Sequence, residues 1–330
     1  MANWKSSRCK YFCCMVIVLV VFSCAYIIYD VGKHPCFRMA MNIWPGYSHH
    51  TFLALEKNLF EQEGVFVEVN LFGEYFDSLE SFRVDGFDAF FGAYSDAILL
   101  RAQGYPVKVV YVSDFSNGGD VIISQSEIKS FEDLRGKVIG VSKLNSFSHL
   151  FVLSLLIKNG LNESDVNIVE VEGVDVLDAL NLGKIDAGHT MEPFQTMAIN
   201  QGYNLLASSA DIPNSIIDVL IVKEDVVNNN PKQIKRVVRA LFKSERCLVE
   251  RPYESYSYIS EKTGISPYEL NKELRGIKIL TEQENRNIFD KTINDSLYAK
   301  GEFIINFFID KGMIEKPIDL DDLIDDEFVV

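Results

Sequence analysis

The stretch VDGFDAFFGAYSDAILLRAQG, residues 84–104, decides the fold, because it is typical of a buried strand, a tight loop and a helix in succession. Residues 183–202, GKIDAGHTMEPFQTMAINQG, repeat this order further along the chain. Identical positions support the match: Asp88, Ala89, Gln103 and Gly104 correspond to Asp186, Ala187, Gln201 and Gly202. An internal repeat of this size predicts two similar lobes.

The segments in front of both copies extend the match. Each copy follows a strand, a helix, a second strand and a short helix, predicted at residues 37–44, 48–62, 65–71 and 77–83 and again at 137–141, 146–159, 166–171 and 174–182. Strands that alternate with helices indicate a parallel sheet, whose ligands bind outside the carboxyl ends of the strands. We therefore predict an α/β protein whose two lobes enclose a small molecule by hinge closure.

Residues 1–35 are predicted to be a leader and not part of the fold. Basic residues precede an uncharged run at residues 11–29, as in a signal peptide, and residues 21–24 resemble a bacterial lipobox that would make Cys24 the lipidated mature N-terminus. The run is also long enough to span a bilayer as an uncleaved anchor, and simple cleavage is the third alternative. All three place the folded part outside the cytoplasm, in the periplasm or on the cell surface.

Charge and cysteine content exclude some kinds of partner. The net charge of −15 has the wrong sign for a protein that binds nucleic acid. Outside the leader only Cys36 and Cys247 remain, which is too few for a metal motif. A disulfide between these two cysteines is an open alternative in an oxidising compartment, although no spacing rule supports it.

In the first lobe, the candidate binding residues follow the ends of two predicted strands. Trp44 and Tyr47 belong to the turn WPGY, where they offer aromatic surface with a polar tip, and Ser48 is the expected helix cap. Tyr94 and Asp96 follow the second strand in GAYSD. A carboxylate at Asp96 opposes an anionic ligand, so it favours a neutral or cationic group. The structural alternatives are a packed aromatic pair and helix capping.

Two predicted crossings join the lobes. Paired glycines at residues 118–119 mark the first, where Asn117 and Asp120 bind the ligand or only satisfy the turn. The return crossing is the apolar run at residues 216–222, and an acid inside a strand, Asp218, needs a partner and is a cleft candidate. The expected boundaries are residues 36–124 for the first part of lobe 1, 125–214 for lobe 2, and 215–330 for the helical second part of lobe 1.

The second lobe carries its candidates in matching places. Asn145 and Ser146 lie at the start of its first helix, where the alternative for Ser146 is simple capping. Glu192 follows a strand and precedes a proline, and the repeat places it opposite Tyr94 across the cleft. Its alternative role is that of a first-turn acid favourable to the helix dipole.

Six motifs in order resemble one family: GVFVEV, FDAFFGAYSDA, SNGGDVII, FEDLRGKVIGV, GKIDAGHTMEPF and IPNSIIDVLIV. Together they are similar to the substrate-binding proteins of nitrate, sulfonate and taurine type ABC importers, a group that also contains thiamine-pyrimidine binders. The resemblance covers residues 41–223. It implies a type II periplasmic-binding-protein fold with a ligand cleft and two hinge crossings, and a monomer that delivers a small solute to a membrane permease without a cofactor.

The resemblance also implies where the ligand binds. The family's cleft segments correspond here to Trp44, Tyr47, Tyr94, Asp96, Asn117, Asp120, Asn145, Ser146 and Glu192. Asp218 is a further candidate because of its place inside an apolar strand. No arginine suited to clamping a sulfonate lies near these loops. Aromatic residues with several carboxylates instead favour an amine or a pyrimidine-like heterocycle.

Other classes of function stay open at this point. A zinc-type metal binder would use His49, His149 and His189 with Glu192. A ligand-sensing module is a second alternative. A pyrimidine-synthase-like enzyme is the third, but its cysteine-rich motif is absent and the sequence shows no constellation of nucleophile, base and orienting residue. We therefore expect a protein that is not an enzyme.

Overall fold

The computed structural model describes residues 36–84, 86–213 and 215–329, which form two α/β lobes around two separate sheets. We call the part built on the six-stranded sheet lobe 1 and the part built on the five-stranded sheet lobe 2. The strands are β1 Phe37–Asn42, β2 Val67–Phe72, β3 Ala89–Ala93, β4 Val107–Ser116, β5 Val121–Ser124, β6 Val138–Val141, β7 Asn167–Glu170, β8 Ala187–Thr190, β9 Asn204–Ser208, β10 Ile217–Lys223 and β11 Ile277–Ile279.

The two sheets share one internal order, as the repeat predicts. The strand order is β2-β1-β3-β10-β4-β11 in lobe 1 and, in the matching sense, β7-β6-β8-β5-β9 in lobe 2. The repeated strands are parallel as predicted, since β1 pairs in parallel with β2 and β3, and β6 with β7 and β8. The crossing strands differ: β10 is antiparallel to β3 and β4, and β5 is antiparallel to β8 and β9. Each of these strands enters its sheet directly from the other lobe, so it runs against the neighbouring strands.

The chain crosses between the lobes after β4 and again after β9. At the first crossing the backbone passes close to residue 276: a Cβ atom on Gly276 would lie 2.6 Å from Gly119 N. Strand β5 pairs within the lobe 2 sheet, whereas the predicted boundary assigned it to lobe 1. The exact residues at which one lobe ends and the other begins stay a prediction.

The helices cover both lobes and extend lobe 1 at the carboxyl end. They are α1 Pro45–Glu56, α2 Leu59–Gln62, α3 Tyr75–Val84, α4 Tyr94–Ala102, α5 Phe147–Lys158, α6 Val176–Asn181, α7 Phe194–Asn200, α8 Glu224–Asn229, α9 Pro231–Glu250, α10 Pro252–Thr263, α11 Pro267–Leu274, α12 Glu282–Phe289 and α13 Leu297–Asp310. In the carboxyl-terminal part, α9 packs on α1 and α13 packs on α4.

The first helix begins earlier than the sequence predicts. Trp44 is the N-cap residue, Pro45 occupies the first turn, and Ser48 lies inside the helix. The prediction that Ser48 caps this helix is therefore wrong. Proline fixes φ near the helical value and lacks the N–H that would be unpaired at that position, so it favours the earlier start.

Of the leader and cysteine hypotheses, only the disulfide can be compared with the structure. Cys24 and the predicted leader lie outside the described residues. Within the described ranges, no helix combines the length and the apolar character needed to cross a membrane. Cys36 is exposed and Cys247 is half-buried, and both are free thiols, so the disulfide between them is not formed.

Candidate functional site

A small cavity lies between the two lobes at the carboxyl ends of their strands. Its volume is about 30 Å³, and it is lined by Asn42, Trp44, Tyr47, Tyr75, Ala93, Asp120, Phe147, Met191, Ile216 and Asp218. Phe147 of lobe 2 reaches across to the other lobe, since its ring centroid lies 5.0 Å from that of Tyr75. The cavity is thus an aromatic chamber shared by both lobes.

Helix α1 positions two of the aromatic walls. Because Trp44 is its N-cap residue, the indole lies at the edge of lobe 1 and Nε1 donates to Asp114 Oδ1 over 3.1 Å. Tyr47 lies in the first turn, donates its hydroxyl to Asn42 Oδ1, and stacks on Phe91 with 5.1 Å between ring centroids. Hydrogen bonds at one end and ring packing at the other hold both side chains in place.

Two buried aspartates lie side by side beneath this wall. Asp114 of β4 and Asp218 of β10 are direct partners in the antiparallel pairing. Burial raises the pKa of Asp114 to about 7. Burial, followed by the charge on Asp114, raises the pKa of Asp218 well above its ordinary value. Like charges at this separation are unfavourable in a dry site, so the pair retains a proton at neutral pH.

A third carboxylate, Asp120, faces the cavity just before β5. Its Oδ1 atom lies 2.7 Å from His189 Nε2, and its backbone N–H donates to Ser116 Oγ over 3.1 Å. Asp120 Oδ2 is buried without a hydrogen-bond partner. A buried carboxylate oxygen without a partner is costly, so it points to a cation or a hydrogen-bond donor that belongs there.

A neighbouring cavity of about 170 Å³ contains Asp96, Lys143, Asn145 and Ser146. Asp96 is buried and accepts a hydrogen bond of 2.6 Å from the Tyr75 hydroxyl. Burial raises the pKa of Asp96 to about 6. Ser146 is the N-cap residue of α5, yet its hydroxyl donates to Lys143 O over 2.7 Å and does not cap the helix. These side chains border the central chamber through Tyr75.

Three predicted site residues lie elsewhere. The Tyr94 hydroxyl donates to Leu297 O over 3.1 Å inside lobe 1, so the prediction that Tyr94 faces Glu192 across the cleft is wrong. Asn117 is exposed. Glu192 accepts hydrogen bonds from the backbone and side chain of Thr196, as expected for an acid at a helix start. Tyr94 points away because α4 packs against α13 and buries the ring.

The structure therefore brings Trp44, Tyr47, Asp120 and Asp218 together around the chamber. It adds residues that the sequence analysis missed, above all Asp114, Tyr75 and Phe147. Asp114 carries the same signal as Asp218, because it is an acid within a strand of mostly apolar residues, β4. Tyr75 and Phe147 look like ordinary core aromatics in sequence, and only the apposition of the lobes brings them together.

The proposed metal-binding set is not formed. His49 lies 3.0 Å from Glu273, His149 lies 3.3 Å from Glu163, and His189 binds Asp120. Each histidine thus has its own carboxylate partner in a different place. Within the described residues, no group of three or more His, Cys, Asp or Glu side chains is arranged to hold a metal ion.

A larger groove of about 660 Å³ lies between α5 and α13, outside the chamber. Apolar side chains such as Ile157 and Phe303 form most of its wall. None of the predicted site residues reaches it. We place the functional site in the chamber, because Trp44, Tyr47, Asp120 and Asp218 line it and Asp120 Oδ2 is buried there without a partner.

The sequence model of the family described as NMT1/THI5 like matches residues 47–255. The chain belongs to this family. This match confirms the resemblance that the six sequence motifs indicated. The two lobes and two crossings of the structure agree with it.

Relatives of this NMT1/THI5-like protein are similar over most of its length. A Brucella abortus protein with the name of a binding protein is 24% identical over 274 residues, which cover 82% of this chain and 83% of that one. The taurine-binding periplasmic protein of Escherichia coli is 20% identical over 219 residues, which cover 64% of this chain and 68% of that one.

Solved structures show the same fold. The ligand-binding component of an ABC-type import system from Staphylococcus aureus, with zinc bound, has a TM-score of 0.72 at 15% identity and covers 90% of this chain and 98% of its own. The alkanesulfonate-binding protein of Xanthomonas axonopodis pv. citri, bound to MOPS, has a TM-score of 0.71 at 17% identity and covers 88% and 98%. The predicted periplasmic-binding-protein fold is confirmed.

Proposed function

We propose that this chain is an extracytoplasmic solute-binding protein that delivers a small organic solute, an amine or an amino-bearing pyrimidine-like heterocycle, to an ABC importer. The observation that carries the proposal is the chamber itself. Its aromatic walls surround Asp120 and Asp218, and none of the described residues that line it is lysine or arginine.

The chamber favours a ligand with N–H donors and an apolar or flat body. Protonated or amino nitrogens donate to carboxylate oxygens, and Trp44, Tyr75 and Phe147 offer ring faces to a cation or a heterocycle. The Escherichia coli relative is named for taurine and the Xanthomonas neighbour for alkanesulfonates. A sulfonate group needs donors or positive charge, and the paired acids Asp114 and Asp218 oppose it.

Binding would be coupled to the hinge. A volume of about 30 Å³ holds only a few water molecules and lies well below the roughly 300–1,000 Å³ of typical ligand pockets. A solute therefore needs the lobes further apart than they are here, and it favours the closed form in which it touches both lobes at once. Asp218 of lobe 1 and Asp120 beside β5 of lobe 2 would then hold one cation between them.

The other parts of the proposal follow from this role. We propose a monomer outside the cytoplasm, held at the membrane by a lipid on Cys24 or by an uncleaved leader, and docking on a permease. We also propose that the protein binds its solute without altering it, which mass spectrometry of solute recovered from the protein would test. A product of changed mass would refute that part.

Tryptophan fluorescence provides the direct test. Trp4 lies in the leader, so the chain from residue 36 onward has Trp44 as its only tryptophan. We would titrate it with putrescine, choline, 4-aminopyrimidine, taurine, MOPS and nitrate, using Asp218→Asn as the paired variant. A saturable change with an amine or aminopyrimidine that weakens in Asp218→Asn supports the proposal. Saturable binding of only taurine, MOPS or nitrate overturns it.

A further inference from the structure

We infer that His189 is a positioning residue for ligand binding, which together with Ser148 holds Asp120 as an ionised acceptor facing the chamber. The expected effect on ligand binding rests on the proposed function, whereas the position of Asp120 rests on hydrogen-bond geometry. None of the three residues is close to another in sequence: Ser148 and His189 are 41 positions apart, and His189 and Asp120 are 69 apart. Only Asp120 lines the chamber.

A continuous chain of hydrogen bonds, which we call the relay, leads from Ser148 at the start of α5 through His189 to Asp120. The backbone N–H of Ser142 donates to Ser148 Oγ over 3.0 Å. Ser148 Oγ lies 2.7 Å from His189 Nδ1, and His189 Nε2 lies 2.7 Å from Asp120 Oδ1. Ser148 and His189 are fully buried and Asp120 is 2% exposed, so water does not compete for these bonds.

The inferred direction of the chain runs from Ser148 to Asp120. Ser148 Oγ accepts from Ser142 N and, in this arrangement, donates its own proton to His189 Nδ1. A neutral imidazole that accepts at Nδ1 carries its proton at Nε2 and donates it to Asp120 Oδ1. This direction requires Asp120 to accept at Oδ1, as a carboxylate does. The second oxygen, Oδ2, stays buried and without a partner.

Ring packing holds the imidazole in this orientation. Phe147 lies edge-on to His189 with 5.9 Å between centroids, and Phe151 lies 5.1 Å away on the same ring. Because β8 pairs with β5, His189 lies opposite Ile122, two residues after Asp120. The relay therefore belongs to lobe 2, and it presents one carboxylate towards the Asp114 and Asp218 pair of lobe 1.

The residue types match those of a hydrolytic triad, but the arrangement does not serve that chemistry. Here the aspartate lies at the chamber and the serine lies behind the histidine, fully buried. A nucleophile must reach its substrate, whereas Ser148 is fully buried and does not line the chamber. The relay is consequently suited to orienting Asp120 and not to attacking a ligand.

The first test needs no ligand. Nitrogen-15 NMR of histidine-labelled protein distinguishes a protonated Nε2 from a protonated Nδ1. We expect a proton at Nε2 of His189, and a ring that carries its proton at Nδ1 alone overturns the relay. Because this result is independent of solute, it separates failure of the relay from failure of the proposed function.

The second test measures affinity for whichever of putrescine, choline and 4-aminopyrimidine binds tightest. His189→Met removes the donor at similar volume and should weaken binding roughly ten- to hundredfold. His189→Gln can still donate to Asp120 and should recover most of that loss. The matched control is His149→Met, since His149 is also buried but pairs with Glu163 and does not line the chamber.

Rescue by the conservative variant distinguishes positioning from simple support of the fold. A purely structural role would leave His189→Gln as weak a binder as His189→Met, whereas positioning of Asp120 requires that glutamine, which still donates, restores affinity. Equal affinity of His189→Met and wild type, or equal loss in His149→Met, overturns the inference.

Discussion

Glu192 and Lys272 form an ion pair between the two lobes, with 3.3 Å between Glu192 Oε1 and Lys272 Nζ. Lys272 belongs to α11 of lobe 1, whereas Glu192 precedes α7 of lobe 2, where Lys272 also donates to the Thr196 hydroxyl. Glu192 was predicted to bind ligand, but its carboxylate is occupied by these partners. The pair instead joins lobe 1 to lobe 2 in the arrangement seen in this structure.

Breaking this pair should weaken solute binding without touching the chamber. Lys272→Met should lower affinity for the amine or aminopyrimidine roughly two- to fivefold, because a partly exposed ion pair that exists only in the closed form favours closure by a small free energy. Isothermal titration calorimetry measures this. The control is Lys291→Met, which removes an exposed pair with Asp321 inside the carboxyl-terminal region. Equal affinity in both variants would show that the pair does not bias closure.

Affinity for a cation should rise with pH between about pH 6 and 8. Burial raises the pKa of Asp114 to about 7 and keeps a proton on the Asp114 and Asp218 pair. A cation prefers the ionised pair, so it competes with that proton and displaces it on binding. Calorimetry in buffers of different ionisation enthalpy should therefore detect proton release. Asp218→Asn should flatten the pH profile, and a wild-type affinity that falls with pH would contradict this account.

Asp96 should make the folded protein less stable as pH rises. Burial raises its pKa from 3.8 to about 6, so the folded state binds this proton more tightly than the unfolded chain does. Its contribution is fully present below about pH 4 and is lost as pH rises through about 6. Asp96→Asn keeps an acceptor for Tyr75 and should raise the free energy of unfolding at pH 8 by up to about 3 kcal/mol. Urea unfolding measures the difference.

The exposed Asp178→Asn serves as the control for that comparison. It should leave the pH dependence of stability unchanged. If Asp96→Asn and wild type show the same dependence between pH 4 and 8, the carboxyl group of Asp96 is not held in the dry environment that the structure describes.

Gly46 should be required for ligand affinity in the chamber, whereas Gly301 should be required only for the stability of the fold. A Cβ atom on Gly46 would lie 2.2 Å from Asp114 Cγ, so Gly46→Ala must displace that carboxyl group and its bond to Trp44. Affinity should fall at least about tenfold, as expected when a charged hydrogen bond is lost, and Trp44 emission should change. Fluorescence titration measures both effects.

Gly301→Ala is the matched control for this substitution. Its Cβ atom would lie 2.6 Å from the Tyr94 hydroxyl and 2.8 Å from Leu320 Cδ2. Overpacking of this kind should lower the free energy of unfolding by roughly 1–3 kcal/mol. Affinity should stay at the wild-type value, because Tyr94 lies outside the chamber. A loss of affinity in Gly301→Ala equal to that in Gly46→Ala would return Tyr94 to the site.

Much of the fold was predictable because its signals are local. The strand, loop and helix pattern at residues 84–104 and its repeat at 183–202 depend on burial and turn propensity along short stretches. Trp44, Tyr47, Asp120 and Asp218 were also found from local pattern, as polar or aromatic residues at strand ends or inside a crossing strand. The antiparallel direction of β5 and β10 was not found, since it depends on the sheet that each crossing strand enters.

Two α/β lobes, two crossings and an acidic, aromatic cleft were predictable from the chain alone. Which side chains meet in that cleft depends on tertiary packing: Tyr94 turns into lobe 1, Glu192 pairs with Lys272, and Asp114 joins Asp218. The partner of a polar side chain is set by the packing of distant elements. The link of Ser148 through His189 to Asp120 has no local signature and exists only once α5, β8 and the first crossing are packed together.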